Sequence, residues 1–185
     1  MERPTVALDL VTNNIINTID MEIYLDGIDY DVDTDEPEAY VVSADVQEHL
    51  SIPAHISYDG VLLLPVVSID QWAFCDRDDL LSVEIQEGGI KKIDKNTFMD
   101  CYRLRTVRLP HGLKVIGQEA FSDCINLETL YIPSTVEFIG RYAFSGCDKL
   151  REVIVDDTIH YRTDREGEHA YIGMMNDQIK VTFIE

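Results

Sequence analysis

The chain repeats itself. Ile93-Asp-Lys-Asn-Thr-Phe98-Met-Asp-Cys101-Tyr-Arg-Leu104-Arg-Thr-Val107-Arg-Leu109-Pro110 returns as Ile116-Gly-Gln-Glu-Ala-Phe121-Ser-Asp-Cys124-Ile-Asn-Leu127-Glu-Thr-Leu130-Tyr-Ile132-Pro133. A third copy runs from Ile139 through Phe144, Cys147, Leu150, Val153 and Val155, and a looser one opens the series at Ile69, Phe74, Leu80, Val83 and Ile85. The phenylalanines stand at 74, 98, 121 and 144, so successive copies are offset by 24, 23 and 23 residues. A short fixed period restricts the chain to a solenoid. Each unit has an apolar side that it cannot bury alone, so neighbouring units must stack.

Within the unit, Leu-x-x-Val-x-Leu at 104–109, Leu-x-x-Leu-x-Ile at 127–132 and Leu-x-x-Val-x-Val at 150–155 alternate as a strand does. The other half is Ile-Gly-x-x-Ala-Phe-x-x-Cys, at 116–124 and 139–147. Together the halves resemble the BspA-like leucine-rich repeat family, closely over about 67–155 and loosely at Leu50-Ser-Ile52-Pro53, where Leu50, Ile52 and Pro53 take the places of Val107, Leu109 and Pro110. The resemblance implies a β-rich α/β repeat: a right-handed leucine-rich repeat solenoid of about four units with a parallel sheet. Better-known members of that family are surface proteins implicated in adhesion. By resemblance, the expected function is a non-enzymatic protein-binding module for adhesion or surface interaction, with a structural or self-assembly element as the alternative.

The ends depart from the pattern, as terminal repeats do. In the first copy the cysteine position holds Arg77, Cys75 is out of register, and Glu87-Gly88-Gly89 adds a residue. After Ile159 the next anchor would be Arg162, and the pattern stops. The expected organisation is one structural domain: an N-terminal cap over 1–66, repeats over 67–155 and a C-terminal cap over 156–185. In the first cap, residues 1–20 fit a short helix or a strand. Residues 22–33 and 39–43 read as a β-hairpin turning at Asp35–Glu38, with Tyr30 and Val32 inward and Asp29, Asp31 and Asp33 outward. Such a hairpin would cover the open end of the solenoid. Tyr58–Val67 reads as an inserted second hairpin. Each repeat is expected to turn its corner by a tight turn or short helix, and Ile179, Val181 and Phe183 alternate as a closing strand.

Charge narrows the partners. The net charge is −20, and residues 1–66 hold fourteen acids against one base, a balance of −13. The repeats are close to neutral, with fourteen acids and eleven bases over 67–155. Such a chain repels nucleic acid and anionic lipid, which need basic surfaces. No apolar run approaches the length of a membrane span, so no membrane insertion is expected. Residues 1–20 contain no continuous hydrophobic region. That fits a cytoplasmic protein if Met1 is native, whereas the resemblance implies a surface or secreted one from which a signal was removed.

The strand face is the candidate binding site. Val107 and Leu109 point inward, so Thr106 and Arg108 point outward. Stacking then makes columns: Glu84, Arg108, Tyr131 and Ile154 in one, Ser82, Thr106, Thr129 and Glu152 in the next, and Leu81, Arg105, Glu128 and Arg151 beside them. Glu84, Thr106, Arg108, Thr129, Tyr131, Glu152 and Ile154 are the expected protein-binding residues, since an aromatic and an arginine among small polar groups resemble an interface hot spot. The bland alternative is that Glu84 with Arg108, and Arg105 with Glu128 and Arg151, are inter-coil ion pairs on a solvated sheet. A further column holds Trp72, Asn96, Glu119 and Tyr142, and Trp72 is expected beneath the Tyr58–Val67 hairpin.

No residue set points to catalysis. The histidines at 49, 55, 111, 160 and 169 lack metal spacing and there is no Gly-rich phosphate loop. Cys101, Cys124 and Cys147 recur at the repeat period and read as buried free thiols, because parallel side chains are not aimed for bridging. No zinc-type cysteine cluster occurs. The acids of 29–38 lack the Gly and Glu of a calcium loop. No cofactor or metal is therefore expected. The partner is a protein of unknown identity, and self-association is possible.

Overall fold

The computed structural model describes residues 21–33, 35–45, 48–57, 60, 62–156 and 180–184. A strand ladder, divided into two three-stranded sheets, and an eight-stranded sheet enclose a single apolar core. The ladder is that of the repeats: β4 (His49–Ile52), β7 (Ser82–Ile85) and β9 (Thr106–Arg108) pair in parallel, as do β11 (Thr129–Ile132), β13 (Glu152–Asp156) and β14 (Lys180–Ile184). Leu50 lies opposite Val83, which lies opposite Val107, so the loose match at Leu50-Ser-Ile52 is a true coil position.

The second sheet, the eight-stranded one, lies across the core. It runs from β1 (Met21–Leu25) through β2 (Ile28–Asp33) and β3 (Glu38–Ala44) to β6 (Leu64–Ile69), β8 (Lys92–Ile93), β10 (Val115–Ile116) and β12 (Phe138–Ile139). Its last four strands are the short second stretches of successive coils, paired in parallel. β3 joins them in parallel beside β6, so the N-terminal strands extend this sheet and cover its first coil strand. In β2 the Ile-Asp-Tyr-Asp-Val-Asp alternation buries Ile28, Tyr30 and Val32 and turns the three aspartates toward solvent, as expected.

Two local readings change. Residues 22–33 are not one strand, because Asp26 (φ 51) and Gly27 (φ 83) make a two-residue turn between β1 and β2. Positive φ at both positions is the type I′ geometry that Asp-Gly favours. The cap is thus a three-stranded meander. The inserted hairpin is short, pairing β5 (His55–Ile56) with Leu64 and Pro65, after which the chain runs on as β6 into the second sheet.

No helix occurs among the described residues; each corner is a turn. The corners are held coil to coil by backbone bonds. The Phe98 N–H donates to the Ala120 carbonyl at 2.8 Å, and the Phe121 N–H to the Ala143 carbonyl at 2.7 Å. They add to bonds within each corner, such as that from the Ser122 N–H to the Glu119 carbonyl at 3.1 Å, so every corner also depends on its neighbour. Inside, Phe74, Phe98, Phe121 and Phe144 stack with ring centroids 5.2, 5.1 and 5.6 Å apart. Leu104, Val107, Leu109, Leu113, Ile116 and Phe121 are all buried, as their inward reading requires.

The three cysteines are buried and free, and each thiol donates to a carbonyl of the preceding coil: Cys101 to Phe74 at 3.1 Å, Cys124 to Phe98 at 3.2 Å and Cys147 to Phe121 at 3.2 Å. Cysteine is small enough for the core and still meets a buried acceptor. Arg77 fills this place in the first copy, where the meander, not another repeat, lies alongside. Its longer side chain donates to the Ala44 carbonyl of β3 and, through Nε and Nη2, to both carboxylate oxygens of Asp79 at 2.8 and 3.0 Å. The change that breaks the repeat pattern in sequence therefore joins the first coil to its cap. The closing-strand reading of 179–183 matches β14, whereas residues 1–20 and 157–179 lie outside the described residues.

Candidate functional site

Strand alternation and coil stacking assemble the face together. Ser82 lies opposite Thr106 and Glu84 opposite Arg108, while Thr129 lies opposite Glu152 and Tyr131 opposite Ile154. Glu84, Thr106, Arg108 and Thr129 are exposed, and Tyr131, Glu152 and Ile154 half-buried. Glu84, Thr106 and Arg108 thus stand on the β7–β9 sheet, and Thr129, Tyr131, Glu152 and Ile154 on the β11–β13 sheet that follows it.

The face is longer than the repeats alone suggest. β4 adds His49 opposite Ser82 and Ser51 opposite Glu84, and the His49 Nδ1 lies 2.8 Å from the Ser82 hydroxyl. β14 pairs beyond β13, with Lys180 opposite Glu152 and Thr182 opposite Ile154 along the backbone. The Leu50-Ser-Ile52 match pointed to the first extension, and the alternation at 179–183 to the second. His111 was read only as a histidine without metal spacing. Its ring meets Tyr131 edge-on at 6.3 Å, and its backbone N–H donates to Glu87 at 2.7 Å.

Arg108 donates to Glu84 at 3.1 Å, but both side chains remain mostly exposed, at 70% and 56%. Such a pair contributes at most about 1 kcal/mol and leaves the guanidinium able to change partner. The second expected ion-pair set does not form: neither Arg105 nor Arg151 pairs with Glu128. Arg151 instead donates to the Asp148 carbonyl at 3.0 Å.

The corners hold features that the sequence did not disclose. Trp72, Asn96, Glu119 and Tyr142 all have positive φ, from 54° to 65°. Trp72 is 52% exposed, not covered by the Tyr58–Val67 hairpin. β6 runs on into the second sheet and leaves the corner uncovered. Cys75 and Asp76 of the same corner and Asp100 of the next bring possible ligand atoms within 4.8 Å of one another. Burial pushes the Cys75 thiol up to about 11, so it holds its proton at neutral pH. On β2, Asp29 accepts from the Ser43 hydroxyl at 2.7 Å, and Asp33 accepts the N–H groups of Asp35 and Glu36 at 2.8 and 3.1 Å. These two carboxylates are occupied in holding the meander.

The fold is shared with bacterial leucine-rich repeat proteins. A leucine-rich repeat protein from Bacteroides capillosus superposes with a TM-score of 0.63 at 21% identity, over 72% of this chain and 97% of its own. A leucine-rich cell surface protein from Faecalibacterium prausnitzii gives 0.57 at 24% identity, over 75% of this chain and 44% of its own. The pneumococcal vaccine antigen PcpA gives 0.62 at 24% identity, over 77% of this chain and 40% of its own. This chain therefore spans less than half the length of the last two. No curated protein is significantly similar in sequence. The model of the BspA-type leucine-rich repeat region matches residues 62–165 and counts 6 copies, where the phenylalanine spacing marks four. On that match, covering more than half of its residues, the chain belongs to the BspA-type leucine-rich repeat family.

Proposed function

We propose that the protein is a non-enzymatic module that docks another protein on the strand face. Family membership supports an interaction or adhesion-type module in general. The observation that supports the finer reading is the strand face of two successive parallel sheets, on which an exposed arginine of β9 and a half-buried tyrosine of β11 stand among small hydroxyl residues. Tyr131 offers apolar area together with a hydroxyl, and Arg108 a fork of donors, the two side chains most enriched at interface hot spots. Glu84, Thr106, Thr129, Glu152 and Ile154 surround them. Residues 1–66 and 156–185 act in this reading as caps that hold the face at both ends.

The test uses the intact protein and an Arg108→Ala/Tyr131→Ala variant as paired baits in affinity capture with mass spectrometry. A protein recovered by the first and lost with the second, the variant melting at the parent temperature, supports the reading. Equal recovery by both baits overturns it.

A further inference from the structure

The outer face of the meander carries a charge arrangement that its own strand pairing does not favour. Alternation along β1, β2 and β3 turns Glu22, Tyr24, Asp29, Asp31, Asp33 and Tyr40 away from the core. Register then sets like charges side by side: Glu22 lies opposite Asp31, and Asp33 opposite Glu38. Like charges directly opposed weaken a strand pair. The strand ladder does the reverse and places Arg108 opposite Glu84. Residues 21–57 hold ten acids and no lysine or arginine. The chain stands at −20 overall, and its repeats, themselves slightly acidic, cannot supply the balance. Further along the row that runs from Glu22 through Asp31, Tyr40 and Ser68, Lys92 donates to Asp94 at 2.6 Å.

This face is notched where it meets the residue after β6. A cavity of about 260 Å³ is lined by Asp31, Val32, Asp33, Tyr40 and Asp70. That is below the roughly 300–1,000 Å³ of pockets for drug-sized ligands and suits a single side chain. Asp33 receives the turn N–H groups of Asp35 and Glu36 on one oxygen, Oδ1. The Asp70 carboxyl is pushed up from its ordinary value, first by burial and then by the Asp31 and Asp94 charges, with Lys92 acting the other way. A cation entering the notch would relieve that repulsion.

We propose that the outer face of the meander is a second docking surface, taking a basic segment of a protein partner with an arginine seated in the notch. It lies apart from the strand face and stands without that reading. Charge complementarity carries it: the face is acidic by count, whatever pairs form within the chain, and its cross-strand neighbours repel until a cation lies between them. A guanidinium fork reaches carboxylates of two elements at once, Asp31 of β2 and Asp70 after β6, and its flat face can lie on the Tyr40 ring. Lysine brings only a point charge, so the notch should prefer arginine. Flanking bases of the same segment meet Glu22 on one side and Asp35 and Glu36 on the other, all three exposed.

The experiment measures binding of fluorescein-labelled octaarginine, with octalysine as the comparison probe. The proteins are the parent, Asp31→Asn/Asp70→Asn, and Glu128→Gln/Asp148→Asn, which removes the same charge from exposed sites on the repeats. The expected result is octaarginine binding that exceeds octalysine binding and weakens as salt rises. It should fall about fivefold or more in Asp31→Asn/Asp70→Asn and less than about twofold in Glu128→Gln/Asp148→Asn. Equal falls in the two variants mean that binding follows net charge alone and overturn the proposal, as does octalysine binding as tight as octaarginine. Displacement of octaarginine by calcium but not by magnesium gives the notch to a metal ion and overturns it as well. Salt-sensitive self-association of the parent in sedimentation, lost in Asp31→Asn/Asp70→Asn, gives the face to a second copy and overturns a separate partner. Asp70→Asn alone should melt at or above the parent temperature, because its ionised form is already disfavoured. If the double variant melts early, Asp70→Asn decides: octaarginine binding weakened by about twofold or more supports the proposal, and unchanged binding overturns it. Arg108→Ala/Tyr131→Ala should bind octaarginine as the parent does, so the two surfaces stand or fail separately.

Discussion

Buried between coils, the Cys147 thiol donates to the Phe121 carbonyl, and burial raises its pKa from 9.0 to about 12. The unfolded chain then loses a proton between those values that the folded chain keeps. Stability is complete below about pH 9 and falls as pH rises toward 12, by about 1.4 kcal/mol per unit for one such group. Cys124 and Tyr30, both pushed up, act in the same direction, with a thiol interaction with Cys101 leading, ahead of burial, for the first and burial leading for the second. Urea unfolding at pH 8 and pH 10.5 should show the loss, and Cys147→Ala should shrink the difference between the two. An unchanged difference would place the sensitivity elsewhere. The inward and outward residues were readable in the sequence because the period and strand alternation fix them. The exposure of Trp72 was not, since the equivalent positions of the repeat range from the buried Asn96 to the exposed Tyr142 and no period fixes them.

At the level of elements, the phenylalanine stack links four corners into one column, each ring about 5 Å from the next. Phe121 has a ring on both sides, so Phe121→Ala opens a void between two coils. The expected cost is about 3–5 kcal/mol, measured as a lowered urea midpoint. Phe74 has a stacked ring on one side only, and Phe74→Ala should cost less. The strand ladder was legible because its apolar triplets repeat. The meander was half legible: the alternation of β2 showed which side is buried, but the Asp26-Gly27 turn was lost inside a run of alternating residues. The departure at Arg77 read as irregularity until the Ala44 carbonyl of the cap appeared beside it.

For the whole molecule, the two ends differ in kind. One end of the second sheet closes on an antiparallel meander, and the strand ladder ends in β14, which simply adds a further parallel strand. Between them the coils meet only their neighbours, so stability is close to a sum of coil and junction contributions. That much was written in the period. The partner was not, because the outward columns are free of the packing rules that make the inward ones readable.

The uniform junction between coils also makes the protein a ruler. A second copy of residues 116–138 inserted after Phe138 would keep the 23-residue period and reproduce the existing downstream junction, leaving Arg77 and β14 undisturbed. The particle should lengthen by about 4.8 Å per added unit in small-angle scattering, without loss of melting temperature. Dimensions of this molecule come in whole coils, and the distance between its caps is a count.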